Sequence, residues 1–203
     1  MSERAGLAMH TEAVSGVVLA GGRGQRMGGA DKGLLLLKGQ PLVTHVLNRL
    51  QPQVSSLSIN VNRNLEIYAA FGYPLLADST DDFPGPLAGL QAGLAHTIHP
   101  WVVSVPCDAP FFPLDLVLRL QQAAFRASAK VAVARTPEGI QPVFCLANRD
   151  LLPHLSQFLA AGERRVGAWL QAMKAIEVDF DESAAFSNLN TSDQLEAACR
   201  AIP

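Results

Sequence analysis

The sequence lacks any hydrophobic run long enough to cross a membrane, which would need about 20 apolar residues in succession. Residues 1–14 also lack the apolar stretch of a secretory signal, and they carry charges at Glu3, Arg4 and Glu12. We expect this segment to be a flexible N-terminal tail and residues 15–203 to form one domain. No membrane partner is expected.

Cysteine is scarce, because Cys107, Cys145 and Cys199 are the only three and they lie far apart. A disulfide framework needs an even set of cysteines and a zinc site needs closely spaced ligands, so neither is expected. The five histidines show no metal-ligand spacing, and we interpret them as structural or surface residues. These features favour the cytoplasm as the compartment, with Cys107 a small buried apolar residue.

Neither sign of charge is in excess, because 16 Lys and Arg residues accompany 18 Asp and Glu residues and the net charge is −2. Binding to nucleic acid through a broad basic surface is therefore not expected. The composition, 49% hydrophobic and 17% charged, is typical of one well-buried α/β domain. No internal repeat, low-complexity tract or linker divides the chain.

Apolar, strand-like runs alternate with helical patterns over the first two thirds of the chain. Strands are predicted at residues 16–20, 57–61, 74–77, 101–105, 130–134, 142–146 and 175–179. Helices are predicted at residues 41–50, 64–71, 87–96, 113–126, 149–161, 166–173 and from 191 onward. This alternation indicates a Rossmann-like α/β fold, with a mainly parallel sheet and helices on both faces. The strands at 130–134 and 142–146 are close enough to form an antiparallel pair.

A glycine-rich loop follows the first strand. Five glycines fall between Gly21 and Gly29, and Arg23, Arg26 and Lys32 add three cations. Glycine lets a ligand approach the backbone closely, and exposed N–H groups beside fixed cations bind phosphate. The loop has neither the G-x-x-x-x-G-K-[ST] pattern of a P-loop nor the G-x-G-x-x-G pattern of a dinucleotide site. A tight strand-to-helix turn with incidental arginines is the structural alternative.

Polar residues also follow the later strands. Asn60 and Asn62 lie near the end of the second strand, Asp78 follows the third and Asp108 follows the fourth. Because ligands of such sheets bind beyond the carboxyl ends of the strands, we expect these residues and the glycine loop to meet in one crevice. On spacing alone, Asn60 and Asp78 are equally well explained as Asx-turn residues.

Asp108 is the candidate metal ligand, because a carboxylate after an apolar strand is costly unless it is paired or bound to a cation. Mg²⁺ accepts one carboxylate together with phosphate oxygens and waters, so a single aspartate beside a triphosphate suffices. Lys32 and Arg26 are the candidates for neutralising charge on the reacting phosphates. The structural alternatives are a turn aspartate before Pro110 and a solvated Lys32 paired with Asp31.

The loop from Leu19 to Gly33 has the pattern L-A-G-G-x-x-x-R-M-G-G-x-D-K-G. This pattern resembles the signature loop of nucleotidyltransferases with the nucleotide-sugar-pyrophosphorylase-like fold, and among them it is most similar to the molybdenum cofactor guanylyltransferases. Three later stretches resemble the same family, namely P-G-P-L-A-G at 84–89, P-C-D-x-P at 106–110 and N-x-N-T at 188–191. The resemblance extends from Gly16 to about Arg200.

The resemblance also implies site residues. Those implied for the nucleotide and its phosphates are Leu19, Ala20, Gly21, Gly22, Arg26, Lys32, Asn60, Asp78, Gly89 and Asp108. Lys32, Arg26 and Asp108 are the catalytic ones, and Asp108 holds the metal. Asn188 and Asn190 are implied on the pterin side of the site. The structural alternatives are a helix start packed tightly on the sheet for Gly89 and a turn before the helix cap for Asn190. The stretch at 162–165 resembles the family's G-E-R-R, whose two arginines could bind the phosphate of the second substrate, but a solvated helix end is the favoured interpretation.

The reaction implied by the resemblance is transfer of GMP from GTP to molybdenum-bound molybdopterin, with Mg²⁺ as cofactor and release of pyrophosphate. The pair Gly21-Gly22 implies GTP, because similar cytidylyltransferases read L-A-A-G there. Proteins that insert molybdenum or mature molybdoenzymes are further candidate partners. The alternatives are a molybdenum cofactor cytidylyltransferase, a sugar-1-phosphate nucleotidyltransferase and a GTP-binding accessory protein without catalysis.

Overall fold

Strands and helices alternate along the chain in the predicted order. The structure, a computed structural model, describes residues 12–22, 31–79 and 85–201. The strands are β1 (Val14–Leu19), β2 (Leu36–Leu37), β3 (Gln40–Pro41), β4 (Ser56–Asn60), β5 (Leu75–Leu76), β6 (Trp101–Pro106), β7 (Val131–Thr136), β8 (Gly139–Asn148) and β9 (Ile176–Asp179). The helices are α1 (Leu42–Leu50), α2 (Leu65–Ala69), α3 (Pro86–His96), α4 (Leu116–Arg126), α5 (Leu152–Ala160), α6 (Val166–Ala172) and α7 (Ser192–Ala201).

Seven of these strands form one sheet in the order β5-β4-β1-β6-β8-β7-β9. β1 pairs in parallel with β4 and β6, β4 with β5, and β7 with β9. β8 runs antiparallel to both β6 and β7. The prediction of a mainly parallel sheet is therefore confirmed, and so is the antiparallel pairing of the strands at 130–134 and 142–146, which are β7 and β8. The antiparallel pairing of β8 with β6 was not predicted. β2 and β3 form a separate hairpin that the sequence did not predict.

Helices pack on both faces of the sheet, as predicted. One apolar cluster contains residues of α1 and α4, and a second contains residues of α3, α5 and α6. Successive side chains of a strand point to opposite faces, so Val14 and Val18 of β1 belong to the first cluster and Val17 to the second. The buried face of α1 is the one that its periodicity predicts, with Leu42, Val43, Val46, Leu47 and Leu50.

The carboxyl ends of four strands lie side by side. Leu19 at the end of β1 is in register with Asn60 of β4 and with Pro106 of β6, and Asn60 is in register with Leu76 of β5. The pairing continues past the strands, because the Cys107 N–H donates to the Leu19 carbonyl at 3.1 Å. The segments that follow these strands therefore leave the sheet at one edge.

The bounds of several elements differ from the prediction. The helix expected from Pro113 begins at Leu116, and β8 is longer than residues 142–146. At the N-terminal side, β1 already begins at Val14, and Glu12 accepts a hydrogen bond of 2.6 Å from the Trp101 indole. Residues 1–11 of the expected tail lie outside the described residues. None of the helices in the described ranges has the length and apolar character needed to cross a membrane.

Candidate active site

A cavity of about 510 Å³ lies beyond the carboxyl ends of β1, β4, β5 and β6, where the crevice was predicted. Its volume is in the range of pockets for small ligands. Of the predicted site residues, those that line it are Leu19, Ala20, Gly21, Gly22, Lys32, Asn60, Asp78, Asp108 and Asn188. The structure thus brings together residues up to 169 positions apart in the chain (188 − 19). Their roles in binding stay predictions.

Lys32 and Asp108 form an ion pair in this cavity. The Lys32 Nζ lies 3.3 Å from the Asp108 Oδ2, and the two side chains are 30% and 8% exposed. Lys32 therefore pairs with Asp108, whereas Asp31 was its alternative partner. Burial raises the pKa of the Asp108 carboxyl, and Lys32 opposes this shift only in part. The ionised Asp108 is consequently poorly solvated, and a second nearby cation would stabilise it.

The donor set around Asp108 fits a magnesium ion. Within residues 12–22, 31–79 and 85–201, no three His, Cys, Asp or Glu side chains come together as a metal site. A cation at Asp108 would thus have one buried carboxylate from the protein and would need its other oxygen ligands from a substrate and from water. That is the usual coordination of Mg²⁺ beside a nucleotide.

Asp78 is held by two asparagine amides. The Asn60 Nδ2 donates to the Asp78 Oδ1 at 2.8 Å, and the Asn62 Nδ2 donates to the Asp78 Oδ2 at 2.8 Å. The Asp78 N–H donates in turn to the Asn62 Oδ1 at 2.9 Å. Each carboxylate oxygen keeps a lone pair, so the fixed Asp78 presents two acceptors to N–H groups such as those on the edge of a purine.

Two glycines pack against these asparagines. A methyl group on Gly21 would lie 2.7 Å from the Asn62 Nδ2 and 3.2 Å from the Asn60 Oδ1. One on Gly89 would overlap the Asn60 Oδ1, whereas one on Gly22 would meet nothing within 4 Å. Gly89 therefore lies behind Asn60 rather than on the cavity wall formed by the described residues. The space at Gly21 is needed by the asparagines, not directly by a ligand.

The N-x-N-T segment contacts the ion pair. The Asn190 Oδ1 accepts a hydrogen bond from the Lys32 Nζ, and the Leu189 N–H donates to the Asp108 carbonyl at 2.7 Å. Asn188 lines the cavity beside them. The predicted capping box then begins the last helix. A segment near the end of the chain thus forms one side of the site.

The structure does not bring every candidate to this cavity within the residues that it describes. Arg26 and the neighbouring Arg23 fall outside the described residues. Arg164 donates to the backbone carbonyls of Leu159 and Glu163, at 2.6 Å and 2.9 Å, which agrees with its interpretation as part of a helix end.

Sequence reasoning missed several residues of the cavity wall, among them Asp31, Arg63 and Val143. Arg63 comes three residues after Asn60, the last residue of β4, so its position just beyond a strand end could have identified it as a site residue. Asp31 had been considered only as a partner of Lys32. Val143 lies within β8, and nothing in its sequence context distinguishes it from a core residue.

Comparisons with known proteins show the family of this chain. A family model described as a MobA-like NTP transferase domain matches residues 16–176. The molybdenum cofactor guanylyltransferase of Cupriavidus taiwanensis is 50% identical over 189 residues, which cover 91% of this chain and 95% of that protein. The one from Bordetella petrii is 48% identical over 187 residues, covering 90% and 95%.

A solved structure shares the fold. The molybdopterin-guanine dinucleotide biosynthesis protein A from Archaeoglobus fulgidus superposes with a TM-score of 0.75 at 21% identity. The superposition covers 92% of this chain and 97% of that one. The predicted α/β nucleotidyltransferase fold is therefore confirmed.

Proposed function

The chain belongs to the family of MobA-like NTP transferase domains, among the molybdenum cofactor guanylyltransferases, and we propose that it transfers GMP from GTP to molybdenum-bound molybdopterin. The products are molybdopterin guanine dinucleotide and pyrophosphate. The observation that carries this proposal is the Lys32–Asp108 pair in a cavity that Asn60, Asp78 and the Leu19–Gly22 segment also line.

The strand order supports a placement for GTP. Asp78 follows β5, Asn60 ends β4, the Leu19–Gly22 segment follows β1 and Asp108 follows β6, and these strands are neighbours in that order. Neighbouring strands are about 4.8 Å apart, so β5 and β6 are separated by about 14 Å, roughly the length of a nucleotide. We place guanine at Asp78 and the triphosphate between the glycine segment and Asp108.

The chemistry needs no nucleophile from the protein. An oxygen of the terminal molybdopterin phosphate attacks the α-phosphorus of GTP, and the bond from that phosphorus to the bridging oxygen breaks. Pyrophosphate leaves with the electron pair. Lys32, Arg26 and the backbone N–H groups of Gly21 and Gly22 stabilise the charge that develops on the phosphate oxygens. Asp108 holds Mg²⁺, which when bound neutralises phosphate charge.

The acceptor reaches the α-phosphorus from the side opposite the leaving group. Asn190 accepts a hydrogen bond from Lys32 of the ion pair, and Asn188 lines the same cavity. We assign these asparagines to the molybdopterin side. All three cysteines are free thiols, which agrees with our placement of the reaction in the cytoplasm. Proteins that supply or use the molybdenum cofactor are the proposed partners there.

The test is pyrophosphate release from GTP, CTP and ATP, each with molybdenum-bound molybdopterin and each repeated with a chelator. We expect release with GTP far above the other two, and its loss on chelation. Higher release with CTP would assign the chain to cytidylyl transfer. Release with a sugar 1-phosphate as acceptor would assign it to sugar nucleotides, and GTP binding without release would make it an accessory protein.

A further inference from the structure

A buried carboxylate lies next to Lys32, and the transfer mechanism does not use it. The Asp31 side chain is only 6% exposed. Three donors hydrogen-bond to its two oxygens, namely the Tyr68 hydroxyl at 2.7 Å, the Asn64 Nδ2 at 2.9 Å and the Gly33 N–H at 3.2 Å. The Arg63 guanidinium adds an ion pair, with its Nε 3.7 Å from the Asp31 Oδ2. A buried carboxylate is tolerated only when hydrogen-bond donors and cations replace its lost hydration, and these partners of Asp31 do so.

These donors tie the end of the glycine loop to another part of the fold. Arg63, Asn64 and Tyr68 belong to the connection after β4 and to α2, more than 30 residues from Asp31. Asn64 has a left-handed backbone, with φ of 54°, and precedes the first residue of α2. Asp31 is therefore anchored to a structured segment, and the anchor lies one residue before Lys32.

The backbone after Lys32 is confined as well. Asp31 caps a single 3₁₀ turn that begins at Lys32, because its carboxylate accepts the Gly33 N–H. A methyl group on Gly33 would overlap the Tyr68 hydroxyl and would lie 3.3 Å from the Cys107 Sγ. Gly33 is thus packed between the tyrosine that holds Asp31 and the cysteine that precedes Asp108.

These contacts relate the two ends of the ion pair. The Lys32 backbone is fixed by Asp31 on one side and by Gly33 on the other, and Gly33 packs on the residue before Asp108. The 3.3 Å separation of the Lys32 Nζ and the Asp108 Oδ2 therefore depends on backbone positions that Asp31 and Tyr68 maintain.

We propose that Asp31, held by the Tyr68 hydroxyl, is a positioning residue that acts through Lys32 in nucleotidyl transfer. This inference rests on the proposed function. Asp31 touches neither the reacting phosphorus nor the metal; it fixes the backbone from which Lys32 reaches the phosphates. Burial raises the pKa of the Tyr68 hydroxyl, so the group stays protonated and remains a donor to Asp31 at neutral pH.

The first test compares the two tyrosines of the chain. Tyr68→Phe removes one oxygen from the contact with Asp31 and keeps the buried ring. We expect kcat for pyrophosphate release to fall about tenfold, because small misplacements of a charged group lower the rate by up to about a hundredfold. The GTP dissociation constant should change by less than about threefold, since the ground-state contacts remain. Tyr73→Phe, at a half-buried tyrosine three residues before Leu76, is the matched control and should keep kcat.

The second test shows whether Asp31 acts through Lys32. Asp31→Asn, Lys32→Ala and the double variant are compared at enzyme concentrations that keep the residual rates measurable. If Asp31 acts through Lys32, the double variant has the kcat of Lys32→Ala alone. Losses that multiply would overturn the inference. Unfolding curves measured on the same samples give the folded fraction, so each rate can be expressed per folded molecule. If Asp31 has a purely structural role, Asp31→Asn lowers stability but leaves kcat per folded molecule unchanged. That result would also overturn the inference.

The outcomes for the wild type separate this inference from the function it rests on. If the wild type releases no pyrophosphate from GTP with any acceptor, the proposed function is wrong and the positioning role is wrong with it. If the wild type is active and Tyr68→Phe keeps its kcat, only the positioning role is wrong.

Discussion

Replacing Asp108 by asparagine removes one charge from the centre of the site and leaves its shape. The carboxylate is 8% exposed and pairs with Lys32 at 3.3 Å. An asparagine fits the same space and still accepts a hydrogen bond from Lys32 through its Oδ1. Lys32 also keeps its contact with Asn190. Any effect of Asp108→Asn therefore comes from the charge and not from a cavity.

We expect this change to abolish most of the activity. Removing one electrostatic element that stabilises a transition state costs about 2.7–4 kcal/mol, a factor of about 10²–10³ in kcat. The asparagine also loses the carboxylate that Mg²⁺ prefers. Pyrophosphate release should fall at least about a hundredfold in consequence. GTP binding measured with a chelator present should change much less, because it does not depend on the metal.

Without ligand, the Asp108→Asn variant should be at least as stable to unfolding as the wild type. Burial raises the folded-state pKa of Asp108 above its ordinary value of 3.8, so the ionised form is less favourable in the folded than in the unfolded chain. Asparagine removes this disadvantage. The gain should be full at neutral pH, should shrink as the pH falls through the raised pKa of folded Asp108, and should vanish below the ordinary value of 3.8, where the carboxyl is neutral in both states.

Two measurements on one pair of proteins check both parts. Pyrophosphate release gives kcat, and thermal unfolding without ligand at pH 7 and in acid gives the difference in Tm. A change of 1 kcal/mol shifts Tm by about 2–4 °C in a domain of this size, so the sign is measurable. Turnover within about threefold of the wild type would refute the role of Asp108 in transfer. A lower Tm at neutral pH would show that the Lys32 pair outweighs burial.

Three other outcomes are expected. Gly21→Ala should weaken GTP binding and narrow the preference for GTP over CTP, because its methyl displaces the Asn62 amide. Calorimetry with both nucleotides measures the two affinities, and an equal loss of affinity for GTP and CTP would contradict this prediction. Asn190→Asp should raise the acceptor KM with little change in GTP affinity, since the new charge repels a phosphorylated ligand; a collapse of GTP binding would place Asn190 on the wrong side of the site. A thiol reagent should modify Cys199 alone in the native protein and all three thiols after unfolding, because the other two are buried and burial raises their pKa.

The meeting of the strand ends at one site was predictable from the sequence, because ligands of parallel sheets bind beyond the carboxyl ends of the strands. Apolar runs predicted the parallel strands, and the carboxyl ends of parallel strands share an edge, so Asn60, Asp78 and Asp108 were expected together. The β2–β3 hairpin was not predictable, since strands of two residues have no measurable periodicity. The contact of Lys32 with Asn190 was also beyond prediction, because it joins side chains 158 residues apart.

Two glycines from separate motifs of the sequence, Gly21 and Gly89, both pack against the Asn60 side chain. Gly21 lies in the loop after β1 and Gly89 in α3, and each leaves room for the Asn60 amide, which a methyl group at either position would contact. The Asn60 Nδ2 donates to the Leu76 carbonyl and to the Asp78 Oδ1, so rotation of the Asn60 side chain would break these two hydrogen bonds. An alanine at Gly89 would therefore act on Asp78 through Asn60, and an alanine at Gly21 would act on it mainly through Asn62. The glycines near the proposed nucleotide site therefore have a packing role in addition to the proposed close approach of a phosphate. Their substitution should alter the proposed base end of the cavity before the proposed phosphate end.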